Sequence, residues 1–296
     1  MKTKFRHLIQ LAATVLFNGF FVGFQKGTIF RGASKMFCLP VLNCYSCPGA
    51  VGACPIGSLQ AVLGDRNHHF SFYVLGTLML FGILLGRLIC AFLCPFGFVQ
   101  ELLYKIKLPK LRVPRAVDRP LRYLKYVILV LFVIVGPILL TNAFGMGSPY
   151  FCKYICPAGT LEGGIPLVAS NPALQNTIGG LFFWKLGILI VILLLSVFVY
   201  RPFCKYICPL GAVYALFNRF SAYQIQIDRT KCIGCRACER ACKMEVRITE
   251  SKDIGECIRC GECKSACPKG AIQSSFFGGK RCSNSLKKPD KQEPSS

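Results

Sequence analysis

A mainly α fold is expected: a bundle of four transmembrane helices built from two parallel repeats, followed by a small α+β domain. Three observations lead there. The 296-residue chain is 53% hydrophobic with a mean hydropathy of +0.48, more apolar than a soluble core requires. The heptapeptide FCKYICP occurs twice, Phe151 to Pro157 and Phe203 to Pro209, and between the copies lies the apolar run Leu181 to Tyr200, broken only by Lys185 near its start. The last third of the chain holds two copies of C-x2-C-x2-C-x3-C.

The expected spans are Leu8 to Phe24, Phe70 to Ile89, Val127 to Phe144 and Leu181 to Tyr200, each close to the roughly 20 residues that cross a hydrocarbon core of about 30 Å. The first is the shortest and contains Asn18 and Gly19. The opening MKTKFR with its apolar stretch could be a signal peptide, but no A-x-A-like site follows Phe24, so it reads as a retained anchor. A net charge of +23 would suggest nucleic acid in a soluble protein; here the cations lie beside the spans, as the positive-inside rule expects, and no nucleic-acid partner is implied. Lys105, Lys107, Lys110, Arg112, Arg115, Arg119, Arg122 and Lys125 face only Glu101 and Asp118 between the second and third spans, which marks that segment as cytoplasmic. The stretch between the third and fourth spans holds only Lys153 and Glu162 and is the natural outer loop. The first outer loop fits less well, with Lys26, Arg31, Lys35 and Arg66 against Asp65.

Nineteen cysteines exceed what packing needs. KCIGCRACERAC (Lys231 to Cys242) and ECIRCGECKSACPKGAI (Glu256 to Ile272) form the run of a bacterial two-cluster ferredoxin, in which the fourth cysteine of each copy ligates the other cluster. One [4Fe-4S] cluster then falls to Cys232, Cys235, Cys238 and Cys267, and a second to Cys242, Cys257, Cys260 and Cys263. Thiolates three residues apart on a tight loop reach separate corners of a cubane. Zinc uses four cysteines too, but not two interlocked repeats of this form.

Nearer the membrane, GRLICAFLCPFG and RPFCKYICPLG place C-x3-C-P pairs, Cys90 with Cys94 and Cys204 with Cys208, at the inner ends of the second and fourth spans. A spacing of four sets both thiols on one face of a helical turn, so the two pairs together offer four sulfurs to one inner site. The proline that follows restarts a helix, leading into amphipathic segments such as Val99 to Ile106. CPIGSLQ precedes the second span and CPAGTLE the fourth, so the repeating unit is outer C-P-x-G, span, inner C-x3-C-P, in parallel orientation with sites at the repeat interface. The outer site draws on Cys38, Cys44, Cys47, Cys54, Cys152 and Cys156. Ala50 stands where the duplication would put a partner for Cys54; Cys47 is the nearer substitute, giving Cys47, Cys54, Cys152 and Cys156, with Cys44 as alternative. Disulfide or redox-dithiol chemistry is the competing use of these six. Up to four [4Fe-4S] clusters are thus expected, two of them in the C-terminal module.

The only histidines are His7, His68 and His69, none inside a span, which excludes a bis-histidine haem; His68 and His69 read as wet loop residues that could accept a proton from a quinol. Trp184 and Tyr200 read as interface anchors. Cys282 lies in a polar tail, residues 280–296, expected to be disordered.

Four spans, the inner pairs CAFLCP and CKYICP and the C-terminal ferredoxin repeats together resemble the NapH, NosR and YccM type of membrane polyferredoxin over nearly the whole chain. The resemblance implies an electron-transfer protein of the cytoplasmic membrane that links a quinone pool or a cytoplasmic donor to a redox partner on one side of the membrane. Our reading is a protein embedded in membrane lipid that exchanges electrons with a soluble carrier or a redox partner subunit and performs no substrate chemistry of its own. The expected domains are a transmembrane bundle, 1–221, and a ferredoxin domain on the cytoplasmic side, 222–279. Alternatives are a thiol-disulfide reductant exporter and an assembly protein for metal centres. One difficulty attaches to the relay: sites at opposite edges of a core about 30 Å thick are far apart for a single electron jump.

Overall fold

The computed structural model describes residues 3–65, 71–140, 147–249 and 251–276. The chain is mainly helical, with one two-stranded antiparallel sheet in which Tyr223–Ile227 pairs with Ile272–Phe276. Among the described residues two helices are long and apolar enough to cross a membrane, Arg115–Leu139 with 25 residues and Gly180–Phe198 with 19. Within the first of these, the turns at Leu129–Val135 open to a π-helix just before Gly136 and Pro137, where proline has no N–H to give to the helical ladder.

The other two expected spans are shorter than the sequence implied. Helix Thr3–Phe17 stops where Asn18 and Gly19 occur; beyond it, Phe20 N–H donates to Gly49 O and Val51 N–H to Phe17 O, both at 3.1 Å or less. This helix is also no purely lipid-facing anchor: Arg6 and Gln10 are buried, and Gln10 Nε2 donates to Ala91 O at 2.7 Å. The second apolar helix covers Phe72–Leu84, 13 residues, and ends at Gly86, whose φ of +55° is open to glycine at little cost. His68, His69 and Cys282, the tail 280–296 and the end of the expected third span beyond Leu140 lie outside the described residues.

One continuous apolar core joins these helices, and it contains Cys38, Cys54, Cys90, Cys94, Cys156, Cys204 and Cys208 together with Ile56, Phe96, Phe151, Phe203 and Tyr214. Inner and outer thiols therefore line one continuous core. Helix Pro209–Phe217 starts at the inner Cys208, and its buried Tyr214 donates to Pro40 O at 2.9 Å, in the loop that carries Cys38 and Cys44. Six residues of helix advance only about 9 Å.

The C-terminal module packs on the inner end of this core. Ala91, Tyr200, Met244, Val246 and Ile258 form a second buried cluster across the junction. Tyr200, expected as a lipid-interface anchor, is only 5% exposed and donates to Glu101, because the module covers it; Trp184 stays 62% exposed, its Nε1 donating to Tyr154 O at 3.2 Å.

Candidate metal centres

Four helices begin in the same way. Cys54, Cys94, Cys156 and Cys208 each take extended backbone as the residue before a helix whose first position is proline, Pro55, Pro95, Pro157 and Pro209. Proline fits the first helical position and forces the residue before it out of helical geometry. The thiols of a C-x3-C-P pair therefore do not share one unbroken turn, as the spacing alone suggested: Cys90, Cys152 and Cys204 sit in a short turn of their own, and the second cysteine caps the next helix. Glycine at the third helical position donates its N–H to the capping sulfur, as Gly211 does to Cys208 Sγ at 3.3 Å. Gly57, Gly97 and Gly159 occupy the same third position after Cys54, Cys94 and Cys156, where the N–H favours the thiolate of the capping sulfur. Each capping sulfur thus lies at the positive end of a helix, where negative charge is favoured.

At the inner site Cys90, Cys94, Cys204 and Cys208 converge, all at most 8% exposed. Burial pushes the Cys90, Cys94 and Cys208 thiols up, and the charge of neighbouring quartet members pushes the same way. Gln100 Nε2 donates to Cys204 Sγ at 3.2 Å. Arg87 and Arg201, both fully buried, flank the quartet: Arg87 Nη2 donates to Cys204 O at 3.0 Å and Arg201 Nη1 to Cys90 O. Each arginine is matched by a carboxylate, Arg87 by Glu256 at 2.6 Å and Arg201 by Glu101 at 3.1 Å.

The outer thiols that come together are Cys44, Cys54, Cys152 and Cys156. Burial raises Cys44 and Cys54 to about 11 and Cys152 to about 12, and members of the set push one another up. Cys156 is likewise raised by burial and then by Cys152, Cys44 and Cys54. Cys47 stands beside Cys44, but its Sγ donates to Asn18 Oδ1 at 3.4 Å. Cys44 N–H donates to Glu162 Oε2 at 2.8 Å, and burial pushes that carboxyl up to about 8. No disulfide joins any of the eighteen described cysteines.

In the C-terminal module, helices Ala237–Ala241 and Glu262–Ala266 follow tight loops in which Gly234, Arg236, Arg259 and Gly261 take positive φ. Cys242, Cys257, Cys260 and Cys263 gather there; burial and their neighbours raise Cys242 and Cys263 to about 12. Val246 N–H donates to Cys242 Sγ and Arg259 N–H to Cys257 Sγ, both at 3.4 Å. Cys238 neighbours Cys232, which like Cys235 is exposed, and Cys267 closes the helix Glu262–Ala266. Shared residues join these groups: Arg87 ties Cys204 O to Glu256, the residue before Cys257; Arg201 and Arg6 share Glu101, and Arg6 reaches Glu262, the residue before Cys263; Tyr214, on the helix that starts at Cys208, reaches Pro40 O in the loop of the outer thiols.

Among the described residues no group of three or more His, Cys, Asp or Glu side chains is arranged to hold a metal ion. Two other features fit a cluster with sulfide acceptors of its own. Arg87 Nε and Arg201 Nε, buried beside the inner quartet, have no acceptor among the protein atoms, and cluster sulfides are acceptors for such donors. At the inner site the capping glycines make room: a Cβ on Gly97 would lie 3.0 Å from Arg201 Nη1 and one on Gly211 3.3 Å from Cys204 O.

Sequence reasoning missed Gln60, Gln100, Arg87, Arg201, Lys35 and Glu256. A signal for the glutamines existed: each stands six residues after a C-P-x-G cysteine, in CPIGSLQ and CPFGFVQ.

A family described as "4Fe-4S binding domain" matches residues 67–114, 126–165 and 181–225, and two further families of the same description match 224–246 and 251–273. Two uncharacterized proteins of Methanocaldococcus jannaschii are similar to the chain. One is 33% identical over 73% of this chain and 75% of its own length, the other 37% identical over 67% and 76%. The putative electron transport protein YccM of Escherichia coli is 25% identical over 68% of this chain and 54% of its own. No solved structure matches.

Proposed function

Because this chain belongs to the family of ferredoxin-type 4Fe-4S electron transport proteins that includes YccM, NosR and NapH, we propose that it is an integral membrane relay. It passes single electrons between a soluble donor or the quinone pool on the cytoplasmic side and a redox partner at the outer face. The observation that carries this reading is that the cysteine groups are joined through shared residues: Arg87 ties Cys204 O to Glu256 beside Cys257, and the helix that starts at the inner Cys208 reaches the outer loop through Tyr214 and Pro40 O. When bound, a [4Fe-4S] cluster accepts and releases one electron with its potential set by burial, net charge and hydrogen bonds to sulfur.

The protein's residues do the rest. Cys90, Cys94, Cys204 and Cys208 hold the inner site, and Arg87 and Arg201 offset its negative charge in a core that excludes water. Arg87, Lys125, Arg122 and Arg259 fix the C-terminal module against the bundle through Glu256, the carbonyls of Met244 and Glu245, and Leu85 O. Tyr214 and the packed residues around it fill the space between inner and outer sites, so no solvent reorganises there. The exposed loop of Cys232 and Cys235 is where a soluble carrier would meet the series.

The four-span arrangement, with residues 1–221 as bundle and 222–279 as cytoplasmic module, is part of the proposal. The apolar helices Arg115–Leu139 and Gly180–Phe198 support it. So does the contact of Arg122 and Lys125, members of the basic segment, with the module. A reporter fused after Arg115 is expected to read cytoplasmic and one after Gly164 extracytoplasmic; the opposite labelling would invert the scheme.

Iron and acid-labile sulfide, measured on the anaerobically purified full chain, test the relay. About sixteen irons per chain are expected for four clusters. About twelve would leave the outer thiols to dithiol chemistry, as in a reductant exporter, and substoichiometric loading would indicate an assembly protein.

A further inference from the structure

The inner and outer sites carry the same shell of donors. Gln100 Nε2 donates to Cys204 Sγ at 3.2 Å while its Oε1 accepts from Phe203 N–H at 3.2 Å; Gln60 Nε2 donates to Cys152 Sγ at 3.2 Å while its Oε1 accepts from Phe151 N–H at 3.0 Å. Cys152 and Cys204 are the matching residues of the two FCKYICP copies. Two cations then complete each shell on equivalent carbonyls. Arg87 Nη2 donates to Cys204 O at 3.0 Å, and Lys185 Nζ to Cys152 O at 3.1 Å. Arg201 donates to Cys90 O, and Lys35 Nζ to Ala50 O at 2.7 Å, Ala50 preceding Cys54 by four residues as Cys90 precedes Cys94.

The glutamines follow from duplication, since both stand six residues after their capping cysteine. The cations do not. Lys35 comes from a short turn, Ala33–Met36, and Lys185 from inside the long apolar helix, whereas Arg87 and Arg201 immediately precede the two inner C-x3-C segments. Two positive charges that reach the same pair of carbonyls from unrelated positions point to a shared need, namely compensation of an anionic group in a low-dielectric core. An outer dithiol or disulfide would carry no charge that calls for the buried Lys35 and the half-buried Lys185. What the outer copy lacks is a thiol at Ala50, and Cys44 is the one brought in, its backbone N–H fixed by Glu162.

We propose, resting on the relay reading above, that the outer site is a second [4Fe-4S] centre held by Cys44, Cys54, Cys152 and Cys156, and that Gln60 and Gln100 are matched positioning residues whose amide N–H sets the reduction potential of one centre each. An N–H directed at a ligand sulfur stabilises the reduced, more negative cluster and so raises its potential. A glutamate in the same place keeps the acceptor for Phe151 or Phe203 N–H but presents oxygen to the sulfur.

The test is an EPR-monitored redox titration with iron analysis on the full, cluster-loaded chain in detergent. Cys44→Ser is expected to remove one signal and about four irons, and Cys47→Ser to keep every signal. Gln60→Glu should move only the outer signal to more negative potential, and Gln100→Glu only the inner one. Lys185→Gln, which keeps a donor for Cys152 O while removing the charge, should shift the outer signal in the same direction and guards against failure of Gln60→Glu to load. Loss of the outer signal in Cys47→Ser with retention in Cys44→Ser would overturn the ligand assignment. Unchanged potentials in Gln60→Glu and Lys185→Gln would overturn the tuning role. If the parent chain itself holds only about twelve irons, the relay reading fails before these comparisons begin, so the two failures are distinguishable.

Discussion

Replacing Glu256 by alanine is expected to destabilise the folded chain by about 3–5 kcal/mol, the usual cost of removing one partner from a buried ion pair. Glu256 is 9% exposed and stands immediately before the ligand candidate Cys257. It accepts from Arg87 Nη1 at 2.6 Å and from Lys125 Nζ at 2.5 Å, two cations whose side chains are fully buried. Its loss leaves both charges without an acid in the seam between bundle and C-terminal module. Glu256→Gln, which keeps hydrogen-bond acceptors, should cost less. The module should also loosen: hydrogen exchange in residues 254–263 should rise and the EPR signal of the cluster at Cys257 should broaden. A denaturation midpoint equivalent to a loss below about 1 kcal/mol would show that the seam relaxes around the two cations and that Glu256 does not hold it.

The second large effect is expected at the inner quartet. Cys94→Ser and Cys208→Ser lie more than a hundred residues apart in sequence, yet each should abolish the same EPR signal with loss of about four irons. The double replacement should do no further harm, as for residues that act as a unit. Serine is nearly isosteric, so the helices begun by Pro95 and Pro209 should persist. Separate signals lost by the two single replacements, or losses that add, would assign the pairs to different centres.

The spacing of the cysteines made the mainly helical chain with a ferredoxin-type C-terminal module legible in the sequence, because cluster ligation leaves a strict local pattern. The duplication was legible for the same reason, in FCKYICP and C-P-x-G. What remained hidden depends on contacts between distant residues. Lys35 and Lys185 reach the outer site from places with no common motif, and a lysine in an apolar run reads only as an interruption. Cys44 and Cys47 are indistinguishable by spacing, since the choice is made by Glu162 and Asn18, each far away in sequence. Span length misled at the first span: Gln10 lies inside the expected Leu8 to Phe24 and Arg6 just before it, and packing against Ala91 and Glu101 gives them partners. Tyr200 has the composition of an interface anchor but is covered by Met244, Val246 and Ile258.

The helix Phe72–Leu84 makes an elastic demand on its surroundings. Its 13 residues measure only about 20 Å, against a hydrocarbon layer of about 30 Å, and Phe72, Tyr73, Met79, Leu80 and Ile83 on it are exposed. In a membrane, lipid that wets this face must thin, at a cost of fractions of a kcal/mol per Å of mismatch. In the proposed membrane setting the bilayer is pinched on the side of the bundle that carries this helix, and the protein should partition towards thin membranes, with acyl-chain length acting on its distribution and stability from outside the fold.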